Sequence, residues 1–166
     1  MLSVIIETLN SEKPLAHTLS ALVPAVVDGL VRRVTVIDRG SSDETALVAI
    51  GAGCAFSDGM DIGAVLKEIR TPWLLFLTPG SIPQDGWEEI VRRHIESEAG
   101  AARFTLAGES GLKAALFGGK PSLDAGLLVR LEAAQSLLSQ RTAFDQLPRR
   151  LKPVRLKHVI HPPARD

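Results

Sequence analysis

Three short stretches carry the residues best suited to chemistry: Glu7-Thr8-Leu9-Asn10, Asp38-Arg39-Gly40-Ser41 and Thr78-Pro79-Gly80-Ser81. Each follows a run of apolar residues, so each falls where a buried strand should end. A carboxylate at such a point, Asp38, can accept hydrogen bonds from the N–H or hydroxyl groups of a ligand. Gly40 lets the backbone turn tightly beside it. The following Ser41-Ser42-Asp43-Glu44 has capping-box spacing, and a helix opening there would offer free N–H groups to an anion. A purely local role fits the same residues, with Asp38 and Ser41 capping a turn and a helix. Local sequence leaves both readings open.

The elements that must hold these loops follow from periodicity. Strands over Leu2–Ile6, Val34–Ile37, Ala55–Phe56 and Trp73–Leu77 alternate with helices. The first helix carries Leu15, Leu19, Leu22, Val23 and Val26 at helical spacing, with Pro14 near its start and Pro24 expected to kink or end it. The second should run from Ser41 to about Ile50 and stop at Gly51 and Gly53. The third is capped by Asp61 and reaches Ile69, and the fourth spans Gly86 to about Glu96. The last third predicts strands over Ala102–Leu106, Ala125–Val129 and Val154–Ile160, and helices over Leu112–Phe117 and Leu131–Ser139. A frayed tail should follow from Pro162 to Asp166. This alternation predicts an α/β fold, a mostly parallel sheet with helices on both faces in a three-layer sandwich. In such a sheet ligands gather at the carboxyl ends of the strands, where all three loops lie.

Bulk properties narrow the function classes. A chain of 166 residues with 45% hydrophobic and 23% charged residues can bury one substantial core. Lysine plus arginine number 19, as do aspartate plus glutamate, so there is no broad basic face for nucleic acid. The single cysteine, Cys54, excludes an intrachain disulfide and reads as a small buried residue. The chain enters its first strand without a basic, apolar leader, and no run approaches ~18 apolar residues. The expected address is the cytoplasm, with no membrane span. Arg149-Arg150, Lys152, Arg155 and Lys157 form a local basic cluster. It reads as a solvated face, or as a peripheral contact for anionic lipid headgroups.

Other patterns carry less. Gly51-Ala52-Gly53 lacks a third glycine and follows a helix, so it reads as a helix stop rather than a dinucleotide fingerprint. Gly108-Glu109-Ser110-Gly111 lacks the closing glycine of a nucleophile elbow and reads as a turn. His158 and His161 would point to opposite faces of a strand and cannot chelate one ion together. His17 and His94 read as surface residues. Trp73 and Trp87 read as packing residues, with Trp87 near enough to the third loop to line its edge.

Taken in order, SVIIETLNSE, VTVIDRGSSDET and WLLFLTPGSIPQDGW resemble successive elements of family 2 glycosyltransferases of the GT-A (nucleotide-diphospho-sugar transferase) fold. The resemblance spans about Leu2 to Trp87 and continues faintly through ALFGGKPSLDAGLLVRLEA. It implies a single GT-A-like domain over residues 1–166, with a nucleotide-binding half (1–100), a shortened acceptor half (101–161) and the tail (162–166). It further implies that Thr8, Asn10 and Glu12 lie near a nucleotide, and that Asp38 accepts from the base. Gly40, Ser41 and Asp43 would shape the adjoining turn. Asp124 would sit towards the acceptor, and Asp124 or Asp145 would act as catalytic base. The implied partner is a UDP- or GDP-sugar.

The departures from that pattern fall on the functional loops. Where the family carries the metal-binding Asp-x-Asp, this chain has Thr78-Pro79-Gly80, which offers no charge. Mn²⁺ or Mg²⁺, the cofactor the resemblance implies, would be held weakly at best. Aspartates placed at positions 78 and 80 would then be expected to create manganese affinity. The segment Met60-Asp61-Ile62-Gly63 lacks the family's arginine, Glu7 stands where proline is usual, and Phe144-Asp145-Gln146 holds one acid in place of a pair. Two function classes follow: a sugar transferase, or a degenerate GT-A-like domain serving as a nucleotide-binding or scaffold protein. Nucleotidyl transfer on the same fold would want basic residues near the first loop, where only Lys13 stands.

Overall fold

The computed structural model describes residues 1–59, 62–109, 122–139 and 143–164. Eight strands form one sheet: β1 (Leu2–Thr8), β2 (Val31–Asp38), β3 (Ala55–Ser57), β4 (Trp73–Leu77), β5 (Ile82–Pro83), β6 (Ala102–Leu106), β7 (Leu127–Arg130) and β8 (Val154–His161). Their spatial order is β3-β2-β1-β4-β7-β6-β8-β5. The half β3-β2-β1-β4 is parallel throughout. Antiparallel pairing enters at β4–β7, β7–β6 and β8–β5, while β6 and β8 run parallel. The six helices among the described residues are α1 (Glu12–Val27), α2 (Thr45–Gly51), α3 (Ile62–Glu68), α4 (Trp87–Glu96), α5 (Leu131–Ser139) and α6 (Leu147–Leu151).

Strict alternation along the central strands divides the core in two. On β1 and β4, Leu2, Val4, Ile6, Trp73, Leu75 and Leu77 face one side and pack on α1 and α4. Ile5, Leu74 and Phe76 face the other and pack on α3, α5 and α6. Both faces are covered, which is why these strands read as nearly unbroken apolar runs. This is the expected three-layer, Rossmann-like arrangement.

Several local expectations change. Pro24 does not end α1: the helix continues to Val27, and the Asp28 amide donates to the Pro24 carbonyl at 2.9 Å. The capping box at Ser41 does not form. Helix α2 starts four residues later, at Thr45, because Ser41 turns back to Asp38, and Asp43 accepts from the Thr45 amide at 3.1 Å. The strand expected from Ala125 begins at Leu127, because Ser122 caps a 3-10 turn over Leu123–Ala125. A second 3-10 turn, Phe144–Gln146, leads into α6, and neither element is visible as a periodicity. The tail is held at least to Pro163, which packs on Gly80. His94 is buried, stacks edge-on against Trp73 at 5.9 Å and bonds the Gly100 carbonyl at 2.8 Å. Trp87 is 1% exposed and packs edge-on against Phe104 at 6.3 Å, as a core residue. The Asp61 cap and the helix over Leu112–Phe117 lie outside the described residues.

Candidate functional site

Parallel pairing of β1 with β2 and β4 brings the ends of all three strands to one rim. Thr8 stands opposite Asp38, and Ile6 opposite Leu77. Two neighbouring groups of residues form there.

The first group joins the loop after β1 to the loop after β2. The Thr8 hydroxyl donates to Asp38 Oδ1 at 2.8 Å, and the Ser41 hydroxyl donates to the same oxygen. The amides of Gly40 and Ser41 donate to Asp38 Oδ2 at 3.1 and 2.7 Å. Burial opposes the charge on Asp38. The bonds from the Ser41 hydroxyl and amide, the Thr8 hydroxyl and the Gly40 amide outweigh it, so the carboxyl sits below its ordinary value. The loops are laced further by the Asn10 amide donating to Ser41 Oγ at 2.8 Å and the Ser42 amide donating to Asn10 Oδ1 at 2.8 Å. The Glu12 amide donates to Asp43 Oδ2 at 3.1 Å. Asp43 is held below its ordinary value chiefly by the Thr45 hydroxyl. Thr8, Asn10, Glu12, Asp38, Gly40, Ser41 and Asp43 are therefore brought together, with Asp38 at 5% exposure and Asn10 exposed.

The second group surrounds an open cleft of about 400 Å³ beyond the ends of β1 and β4. Its walls include Glu7, Thr78, Asp124, Phe144, Asp145 and Arg149. The cleft thus collects the two acids named as catalytic candidates and the first residue of the altered metal loop. Asp124 is placed by the 3-10 turn that ends at Gly126, whose φ of 62° and ψ of 158° only glycine adopts readily. A Cβ on Gly126 would also lie 3.1 Å from the Phe104 ring. Thr78 Oγ bonds Ser81 Oγ at 2.7 Å and lies 3.5 Å from Asp124 Oδ1. Arg39 donates to Glu7 as a two-pronged fork, Nε to Oε1 and Nη2 to Oε2, each at 3.0 Å, and this bond raises the Arg39 pKa. The Arg39 guanidinium lies 6.0 Å from the Phe144 ring centre, tying the two groups of residues together.

One residue of the cleft was not singled out for the site by sequence: Arg149 read only as part of a basic run, whereas Glu7 was named in the first loop without a role of its own. The one available signal was the position of Arg149 four residues after Asp145.

Gly80 belongs to neither group. Its φ is 90°, and a Cβ there would stand 3.2 Å from Pro163 and 3.4 Å from Pro14. Its amide donates to Thr18 Oγ at 2.8 Å. The space where a second metal-loop carboxylate would project is filled by the chain's own tail. Among the described residues, no group of three or more His, Cys, Asp or Glu side chains is arranged to hold a metal ion. Hard divalent ions want several oxygen ligands, so this donor set does not fit Mn²⁺ or Mg²⁺. Among the described residues, no helix is long and apolar enough to cross a membrane.

No family model matches the chain. No curated protein matches it in sequence. Solved structures match in shape. Glucosyl-3-phosphoglycerate synthase from Mycobacterium tuberculosis, in complex with Mn²⁺, uridine diphosphate and phosphoglyceric acid, aligns with a TM-score of 0.58 and 21% identity, over 80% of this chain and 56% of that one. The same synthase in complex with phosphoglyceric acid aligns with a TM-score of 0.64 and 19% identity, over 100% and 73%. S. aureus TarS 1–349 aligns with a TM-score of 0.66 and 16% identity, over 99% and 58%. The chain therefore spans little more than half of the first and third of these structures. The likeness at this identity is one of fold.

Proposed function

From a GT-A-like nucleotide-diphospho-sugar transferase fold, we propose that this domain binds a UDP- or GDP-sugar at the rim of β1, β2 and β4 and transfers the sugar to an acceptor hydroxyl. The observation that supports this reading is the cleft holding Asp124 and Asp145 beside the loops laced by Asp38. In the reaction, the acceptor oxygen attacks the anomeric carbon while the bond to the diphosphate breaks. The hydroxyl proton passes to a carboxylate, Asp124 or Asp145. Asp38 already accepts four hydrogen bonds from its own chain, so its part is to hold the loop. Base recognition then falls to groups the loops expose, with Asn10 foremost. The donor set gives no place to a carboxylate-held metal, and no step is assigned to one.

The second reading is a nucleotide-binding or scaffold protein that has lost transfer. The observation favouring it is the sealed position 80, since it removes part of the family's usual machinery. Calorimetric titration with UDP and GDP, run alongside a donor-turnover assay, separates the readings. The transferase reading predicts binding with turnover, and a fall of ~10²-fold or more in turnover for Asp124→Asn or Asp145→Asn at little cost in binding. Binding without turnover supports the scaffold reading. No binding at millimolar nucleotide rejects both.

A further inference from the structure

We infer that the diphosphate is bound without a divalent ion and that Arg149 supplies the positive charge facing it. This rests on the reading of the cleft as a nucleotide-sugar site and goes beyond it. A departing diphosphate gathers negative charge that a metal ion or cationic side chains must offset. The metal loop is unsuited on two counts. Thr78 brings a hydroxyl already bonded to Ser81, and position 80 is closed by Pro163 and Pro14.

The cleft supplies a cation of its own. Arg149 lines it from α6, whose Leu147 and Pro148 are buried and fix the helix against the core. Among the described residues Arg149 makes no ion pair, whereas Arg39, the other guanidinium at this rim, is engaged by Glu7. A guanidinium presents a planar fork of donors that matches phosphate oxygens two at a time. Among the described residues that line the cleft, the other ionisable groups are Glu7, which Arg39 offsets, and the acids Asp124 and Asp145. Among the described residues that line the cleft Arg149 is the one cation, so its loss removes the only lining charge that attracts a diphosphate.

The test is calorimetry with UDP, with excess EDTA or with excess MnCl₂, on the wild-type chain, Arg149→Gln, Arg149→Lys and Arg150→Gln. Arg150 neighbours Arg149 on the same helix and is likewise exposed, but is not among the cleft-lining residues. Wild-type affinity should agree within about twofold in the two media. Arg149→Gln should weaken UDP about tenfold or more while leaving uridine unchanged, and Arg149→Lys should recover part of the loss. Arg150→Gln should stay within about twofold. Circular dichroism of each variant checks folding, and the lysine variant keeps the test sound if the glutamine variant unfolds. Binding that requires manganese, or that survives Arg149→Gln intact, overturns the inference and leaves the nucleotide reading standing. No UDP binding in either medium overturns both.

Discussion

Asp38, a candidate ligand contact by sequence, pins two loops together through its own side chain. Its two oxygens collect four donors from Thr8, Gly40 and Ser41, and hydrogen bonds to a charged, largely buried group contribute more than neutral ones. Asp38→Ala should therefore destabilise the chain by about 2–4 kcal/mol in urea unfolding. The pH dependence has a definite sign. A carboxyl whose folded pKa lies below its unfolded value stabilises fully above the unfolded value, about 3.9 for aspartate. That contribution fades as pH falls through the lower folded value. Asp38→Asn should lose stability at neutral pH and show a shallower acid limb below pH ~4 than the wild type. Thr35 offers the opposite case. Its hydroxyl is buried and, among the described residues, without a hydrogen-bond partner. Thr35→Val keeps the shape and removes the orphan, so thermal unfolding should show a gain of about 1 kcal/mol.

At the scale of elements, two glycines decide where the rim's pieces lie. Gly126 ends the turn that places Asp124, in a backbone region that a side chain resists, with Phe104 and Leu77 within 3.2 Å of any added Cβ. Gly126→Ala should cost roughly 2–3 kcal/mol in denaturant unfolding. Gly80 faces Pro163, so the double variant Thr78→Asp, Gly80→Asp should gain no calorimetric manganese affinity. This reverses the expectation from sequence. Sequence placed the third loop correctly but could not show that the C-terminal tail, more than 80 residues away, fills the space beside it. The central strands were legible because both faces of β1 and β4 are buried, which forces continuous apolar runs. The start of α2 was not, because Ser41 and Asp43 spend their side chains on Asp38, Thr45 and Glu12 instead of on a capping box.

Across the molecule, one topological fact organises the site: β1, β2 and β4 run parallel and end at one edge. The convergence of the first two loops with Asp38 was readable from local strand patterns joined to the rule for open sheets. The cleft was less so. Asp124 and Asp145 were named by resemblance, but Arg149 enters through a 3-10 turn and a five-residue helix that leave no periodic signal. Backbone amide shifts during a UDP titration test the central claim most directly. The account predicts shifts concentrated at residues 8–10, 38–43, 78, 124, 145 and 149. Shifts clustered away from that rim, or none at millimolar UDP, would contradict it.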